Sequence, residues 1–412
     1  VDGLLIKDST AAFADGAVAT PSITNTGDTN TGVYFPAADT VGVVAGGVEQ
    51  FRFGSNPIPG GSKNLFHNGD FAVAQRPTVT GLGAASGYKG GPDGVSYSPL
   101  SGGETGRFTL SQDPTGPANS GHRQSLKVDV TTADTSIAAG HAYYFEMRIE
   151  AQNCSHLKYG ESDAEAVTLS FWVYSTITGD FQFMLQENDG SRQYSTGYTV
   201  SSSNTWEKKT ITIPGDTGGT INNDTGIGLT MIFMLTGGSN LQGGTEDSWV
   251  AAANNGYSAG STVNIFSSTS NNFALAGVQL EVGSVATDFE HEDIGTTLQK
   301  CKRYYERINY DSVADEIVTV SYLFSTSVNQ GIAYYLEKRA TPTITLTAGD
   351  TFKGRSGSSG FTAGTSNATG NVGKRSCLFQ LTASSAPWTL GQGGDIRRDG
   401  TDTTYIEVSS EL

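Results

Sequence analysis

Cysteine, histidine, positive charge and long apolar runs are all scarce in this chain of 412 residues, and each shortage closes off a class of function. Cys154, Cys301 and Cys377 stand far apart with no CxxC spacing, so neither a disulfide framework nor a zinc site is implied. His67, His122, His141, His156 and His291 show no HExxH or HxH spacing that would prepare a metal or a general base. A GxSxG elbow, a P-loop and a dinucleotide fingerprint are also missing. The expectation is that the protein is not an enzyme. No apolar run approaches the ~18–20 residues of a membrane-spanning helix. Nor does a basic-then-apolar leader follow Val1, so the expectation is synthesis in a cytoplasm without membrane insertion. Lys+Arg number 25 against 41 Asp+Glu, and 25 − 41 gives a net charge of −16. Such a chain is repelled by phosphate backbones, and without a local basic patch a nucleic-acid partner is not expected.

Glycine is abundant, with 53 residues, and it accompanies Ser, Thr, Val and Tyr rather than a helical pattern. Glycine supplies the positive φ of tight turns, while branched and aromatic side chains suit a half-buried pleated surface. The expected class is all-β. The length allows about two to three domains at ~100–200 residues each.

Residues 1–56 read as a fibrous stalk. Ile23, Val33, Phe35, Val41, Val43, Val48, Phe51 and Phe53 fall in short strand-like pieces separated by turn residues such as Ala45-Gly46-Gly47. So few apolar groups cannot close a core alone, and intertwined or stacked chains, three in number, are expected. A Pro- and Gly-rich linker covers 57–63. Residues 64–292 read as a jelly-roll β-sandwich, with strands expected at 65–73, 107–111, 125–131, 141–149, 166–174, 180–187, 206–213, 228–235 and 273–281. Residues 293–310 hold a linking helix, expected over 296–307 with Thr296 or Thr297 as its cap and Leu298, Cys301, Tyr304 and Tyr305 on one stripe. A small β-rich tip domain covers 311–412, with strands expected at 316–328, 331–338, 343–347, 376–382 and 403–408. Its segment 353–374 reads as a long exposed loop.

Four stretches resemble bacteriophage tail-fibre sequences. They are GDTNTGVYFPAADT in the stalk, NLFHNGDFAVAQR at the sandwich opening, GVQLEVGSVATDFEHEDIGTTLQKCKRYYE across the junction, and LEKRATPTITL in the tip. Asp288 stands where such sequences often have Pro, and Glu292-Asp293 where Arg-Pro is usual. The resemblance implies a homotrimeric virion appendage with a carbohydrate-binding-module-like jelly roll. It would join other tail proteins through its N-terminal segment and attach to a bacterial surface glycan by multivalency. Other readings are a purely structural virion decoration or connector, and a glycan hydrolase acting through a carboxylate pair.

Period-two alternation nominates side chains for sugar contact. If Tyr143, Phe145, Met147 and Ile149 face a core, then Tyr144, Glu146 and Arg148 face outward. The same logic turns Trp172, Tyr174, Gln182 and Gln186 outward. Rings that meet the apolar face of a sugar, beside fixed amides and charges for its hydroxyls, are what a glycan site requires. A neighbouring chain would be met by the same mixture. Asp70 and Glu281, hard oxygen donors near the two edges of the sandwich, are candidates for a structural calcium, as is the 216–224 loop. Tyr304, Tyr305, Tyr310, Tyr322, Tyr334 and Tyr335 crowd the start of the tip and suit either a binding tip or a packing cluster.

Overall fold

The computed structural model describes residues 13–38, 40–53, 63–83, 87–100, 103–309, 316–346, 352–357, 360–398 and 405–412. Two units are present, 1–63 and 64–412.

In the first unit the turn residues divide the chain into Ile23–Asn25 (β1), Asp28–Tyr34 (β2), Val41–Ala45 (β3) and Val48–Phe53 (β4), an antiparallel sheet in sequence order. Gly46 and Gly47, at φ +60° and +77°, close the two-residue hairpin between β3 and β4, where both positions need the left-handed region. Among its described residues the buried apolar side chains are Tyr34 and Val44, while Ile23 and Val48 are exposed.

The second unit opens on 64–78. A strand was expected at 65–73, but the chain here is turns and bends. Asn68 explains the difference: its side chain bonds Val73 N, Val73 O and Asp93 O, holding the backbone out of a ladder. The segment still lies against the closing strand, with Leu65 N donating to Leu280 O and Val278 N to Gly69 O. Strands follow at Val79–Leu82 (β5), Val95–Pro99 (β6), Arg107–Asp113 (β7), Ser125–Thr132 (β8) and Ala142–Glu150 (β9). Next come Val167–Ser175 (β10), Gly179–Glu187 (β11), Arg192–Val200 (β12) and Thr205–Ile213 (β13). Ile227–Gly237 (β14), Trp249–Ala251 (β15) and Asn272–Val282 (β16) complete the set.

These strands form two antiparallel sheets. The first has the order β13-β10-β16-β8-β7-β5, the second β15-β12-β11-β14-β9-β6. Because the chain changes sheet after β5, β6, β8, β9, β10, β12, β13 and β15, the product is a sandwich with jelly-roll-like crossings. Phe108, Val128, Phe171 and Leu275 of the first sheet share one buried core with Phe145, Phe183, Phe233 and Met231 of the second. Strand β12, RQYSTGYTV, was not expected, since Ser, Thr and Gly separate its core-facing Tyr194, Tyr198 and Val200.

A single α-helix is found among the described residues, Ile294–Lys302 (α1). Its cap is Asp293, which accepts from Gly295 N and Thr296 N, rather than Thr296 or Thr297. The helix stops well before residue 307. Tyr305–Asn309 (β17) instead pairs with a strand from the far end of the chain, a long-range ladder that overrides the local helical stripe. Beyond it lie Glu316–Ser325 (β18), Val328–Tyr334 (β19), Thr343–Leu346 (β20), Phe352–Ser356 (β21) and Thr362–Ala363 (β22). Ser366–Gly370 (β23), Ser376–Thr382 (β24), Gly393–Arg398 (β25) and Tyr405–Ser409 (β26) follow. A three-stranded sheet, β17-β26-β20, faces a seven-stranded sheet, β22-β21-β25-β18-β19-β24-β23. Phe352, Phe379, Leu381 and Ile396 of the larger pack with Ile406 and Val408 of the smaller. The 353–374 segment therefore holds β22, β23 and most of β21, where a long loop was expected. Its Gly, Ser and Asn residues hide strands that are fixed by pairing with β24 and β25 rather than by apolar alternation.

Candidate functional site: the outer face of the first sheet

Alternation along β10 sends Val167, Leu169, Phe171 and Val173 into the core and leaves Trp172 and Tyr174 outside, half-buried. Strand β13 pairs with β10 so that Trp206 lies opposite Tyr174 and Lys208 opposite Trp172. The Tyr174 and Trp206 rings are 5.6 Å apart at 50°, and Tyr174 OH donates to Asn204 Oδ1 at 3.0 Å. On the other side of β10, Ala276 of β16 lies opposite Trp172 and Ala274 opposite Tyr174. Ala274 and Ala276 are themselves buried, at 4% and 0% exposure, beneath the neighbouring side chains of this face.

Past the alanines, Lys127 of β8 lies opposite Ala274. Its Nζ is 3.1 Å from Asp129 and 3.5 Å from Asp113. Burial works against the ammonium, but the two carboxylates outweigh it and raise the Lys127 pKa, so the group stays charged. Strand β16 carries a bulge next to these alanines: the register with β10 slips between Ser170 and Trp172, and Gly277 has φ +55°. A Cβ on Gly277 would lie 2.4 Å from the His122 ring, so glycine is required there on both counts. The face thus joins an aromatic row (Trp172, Tyr174, Trp206), the buried small side chains of Ala274 and Ala276, and a charged margin at Lys127, Asp129 and Asp113. Trp206, Lys127 and the two alanines were not singled out in the sequence. The alternation of Trp206, Lys208, Thr210 and Thr212 was a usable signal, but only the pairing of β13 with β10 brings it beside Trp172.

The remaining sugar-contact candidates lie on the opposite sheet, because β9 and β11 belong to the second one. Tyr144, Glu146 and Gln182 are buried there, and Gln186 is half-buried. Tyr144 packs with Met184, Ile232, Met234 and Leu241, and its ring is 5.3 Å from that of Tyr257. Gln182 accepts from Gly260 N at 2.9 Å and donates to Glu246 at 3.2 Å. Arg148 holds Glu146 at 2.6 Å and also donates to Leu412 O. The chain itself covers this face, with residues drawn from 238–261 and from its last turn. Trp172 and Tyr174 are not brought together with these five.

The proposed calcium donors have separate partners. Asp70 Oδ1 is 2.5 Å from His122 Nδ1, whereas Glu281 accepts from Gln279 at 2.9 Å and from Thr287 N at 2.8 Å. In the 216–224 loop, Asp216 binds Arg192 at 2.5 Å and Asp224 accepts from Gly226 N at 2.7 Å. Among the described residues no cluster of three or more His, Cys, Asp or Glu side chains could hold a metal. Of the tyrosines, Tyr304 and Tyr305 are buried, Tyr335 donates to Gly373 O and Ser376 O, Tyr322 and Tyr334 are exposed, and Tyr310 lies outside the described residues.

No known family model and no curated protein matches the sequence. Solved structures with some similarity include the enzymatically active domain of tailspike protein 4 of bacteriophage CBA120. It shares 13% identity at a TM-score of 0.26, over 46% of this chain and 19% of that one. The family 11 carbohydrate-binding module of Clostridium thermocellum shares 13% identity at a TM-score of 0.25, over 52% of this chain and 99% of that one. The CBM22-2 xylan-binding domain of Paenibacillus barcinonensis shares 15% identity at a TM-score of 0.23, over 45% of this chain and 91% of that one. At such scores the assignment of a β-sandwich rests on the sheet order itself.

Proposed function

We propose that this protein is a bacteriophage tail-appendage component that attaches to glycan on the bacterial surface. In this reading it binds sugar through the outer face of the first sheet and catalyses nothing. The observation that carries the reading is the row of Trp172, Tyr174 and Trp206 on the outer face of the first sheet. A pyranose laid on such a row would place its C–H face on the rings and its hydroxyls toward Lys127, Asp129 and Lys208. The four tail-fibre-like stretches support placement on a virion. The first unit supports association of copies, for which three is the proposed number. Its small sheet exposes Ile23 and Val48 and buries apolar side chains only at Tyr34 and Val44 among its described residues. Its N-terminal segment is proposed to meet other tail proteins. Weak single contacts would then add through effective concentration.

The test is binding of the full chain to a bacterial surface-glycan array, with Trp172→Ala beside the unaltered protein. Loss of at least about tenfold in affinity, with the melting temperature preserved, is the expected result. Glycan binding that ignores the substitution would move the site elsewhere.

A further inference from the structure

Residues 410–412 follow β26 and run along the seam between sandwich and tip, where side chains from both sides hold them. Arg339, which follows β19 in the tip, donates to Ser410 O at 2.5 Å and to Glu411 O. Its third bond, at 2.6 Å, goes to Thr225 O of the sandwich. From the sandwich, Arg148 and Tyr88 donate to Leu412 O. Arg76 Nη1 donates to Glu411 Oε1 at 2.8 Å, and the two side chains are only 9% and 10% exposed.

Acids outnumber bases around that buried carboxylate. Asp93 is buried and accepts from Gln75 N at 2.9 Å and from Gln75 Nε2 at 2.5 Å. The same Nε2 donates to Tyr305 O, and Tyr305 OH donates to Glu407 at 2.7 Å. Arg76 lies 3.3 Å above the Tyr305 ring and is the one cation bonded to the Glu411 carboxylate among the described residues. Arg339 reaches only the Glu411 backbone, Arg148 is held by Glu146 at 2.6 Å, and Lys338 by Glu306 at 2.8 Å. The Tyr88 hydroxyl and the Cys301 thiol, both raised by burial, add no charge. Taking a carboxylate out of water is costly unless its charge is well matched. Here burial, with Asp93 adding to it, outweighs Arg76 and pushes the Glu411 pKa up to about 7 from 4.5.

We propose that Glu411 makes this segment a proton-controlled latch between tip and sandwich, closed most firmly when its carboxyl is neutral. A neutral acid still accepts from Arg76, whereas the ionised one sets a negative charge beside Asp93. Between pH 4.5 and about 7 the docked segment binds a proton that a released segment gives up. The latch is therefore at full strength below 4.5 and loosens as pH rises through about 7. His67, stacked on Tyr304 nearby, has the opposite sign, because its burial favours the unprotonated ring. The proposal is independent of the glycan site on the sandwich.

The test is amide hydrogen exchange of residues 405–412 in the full chain, expressed as protection relative to intrinsic rates. From about pH 5 to about pH 8 the unaltered protein should lose at least about tenfold in protection. Glu411→Gln, neutral at every pH, should hold its protection constant over that range, which separates the latch from His67. Constant protection in the unaltered protein would overturn the proposal, as would an equal fall in Glu411→Gln. A second measurement needs no variant: the carboxyl carbon of Glu411, followed by NMR, should titrate near pH 7. A midpoint at the ordinary 4.5 would also overturn it.

Discussion

Trp172 and Arg148 both alternate outward from apolar strands, yet their surroundings separate them. Trp172 is half-buried beside Trp206 and Tyr174, whereas Arg148 clasps Glu146 and the last residue of the chain. Arg148→Ala should therefore lower the melting temperature while leaving glycan affinity unchanged, the reverse of Trp172→Ala. Loss of a partly buried charge-assisted contact is worth about 1–3 kcal/mol, readable in denaturant unfolding. His67 gives a pH prediction. Its ring stacks on Tyr304 at 4.8 Å and its Nε2 is sealed from solvent without a hydrogen-bond partner. Burial, with Lys300 adding to it, lowers its pKa to about 4 from 6.5. Between these values the unfolded chain binds the proton and the folded one does not. The stabilising preference for neutral His67 is thus fully present above pH 6.5 and is lost as pH falls through 4. It amounts to up to about 3 kcal/mol by linkage. Unfolding measured against pH should show the unaltered protein losing stability relative to His67→Phe across that window. Parallel pH profiles would show that the ring's protonation is not coupled to folding.

Elements were legible where side chains alternate cleanly and obscure where backbone pairing alone fixes them. Strands β7 to β11, β13, β14 and β16 follow the apolar alternation to within about two residues of their expected bounds. Strand β23, made of Ser, Asn, Ala, Thr and Gly, carries no such pattern and depends on its neighbour β24, whereas β12 alternates Tyr194, Tyr198 and Val200 into the core between polar residues and Gly197. At the sandwich opening, Asn68 and Gly69 turn the chain where a strand was expected. The closeness of the opening to β16 tightly constrains Gly69, since a Cβ there would stand 1.9 Å from Val278 O. Gly69→Ala should cost about 3 kcal/mol or prevent folding, because the nearest atom in conflict, Val278 O, is a backbone atom of β16 that cannot swing aside. Asp293→Ala, which removes the α1 cap, should cost about 1 kcal/mol in thermal unfolding. Neither change touches the aromatic row.

For the whole molecule, the all-β class and the inward or outward direction of each candidate were visible from periodicity. Which sheet each strand joins was not. Alternation assigns a side to every residue of a strand, but says nothing of what lies on that side. That is why Tyr144 and Gln182 read as equals of Trp172, although the chain's own 238–261 segment covers them. Only the sheet order places Trp206 beside Tyr174. The attachment of the tip to the sandwich was equally hidden. Glu150 at the end of β9 accepts from Arg303 at 2.6 Å and from Tyr304 OH at 2.9 Å, across 153 and 154 residues of sequence. Arg76 meets Glu411 at 2.8 Å and lies 3.3 Å above the Tyr305 ring.

The central claim is that the first sheet's aromatic row is a glycan-binding surface. Its most direct measurement is affinity for bacterial surface glycans, taken in parallel for the unaltered full chain, Trp172→Ala, Trp206→Ala and Arg148→Ala. The account predicts a glycan bound by the unaltered protein and by Arg148→Ala alike, and weakened at least about tenfold by either tryptophan change. Equal binding by all four proteins, or binding lost only with Arg148→Ala, would contradict it.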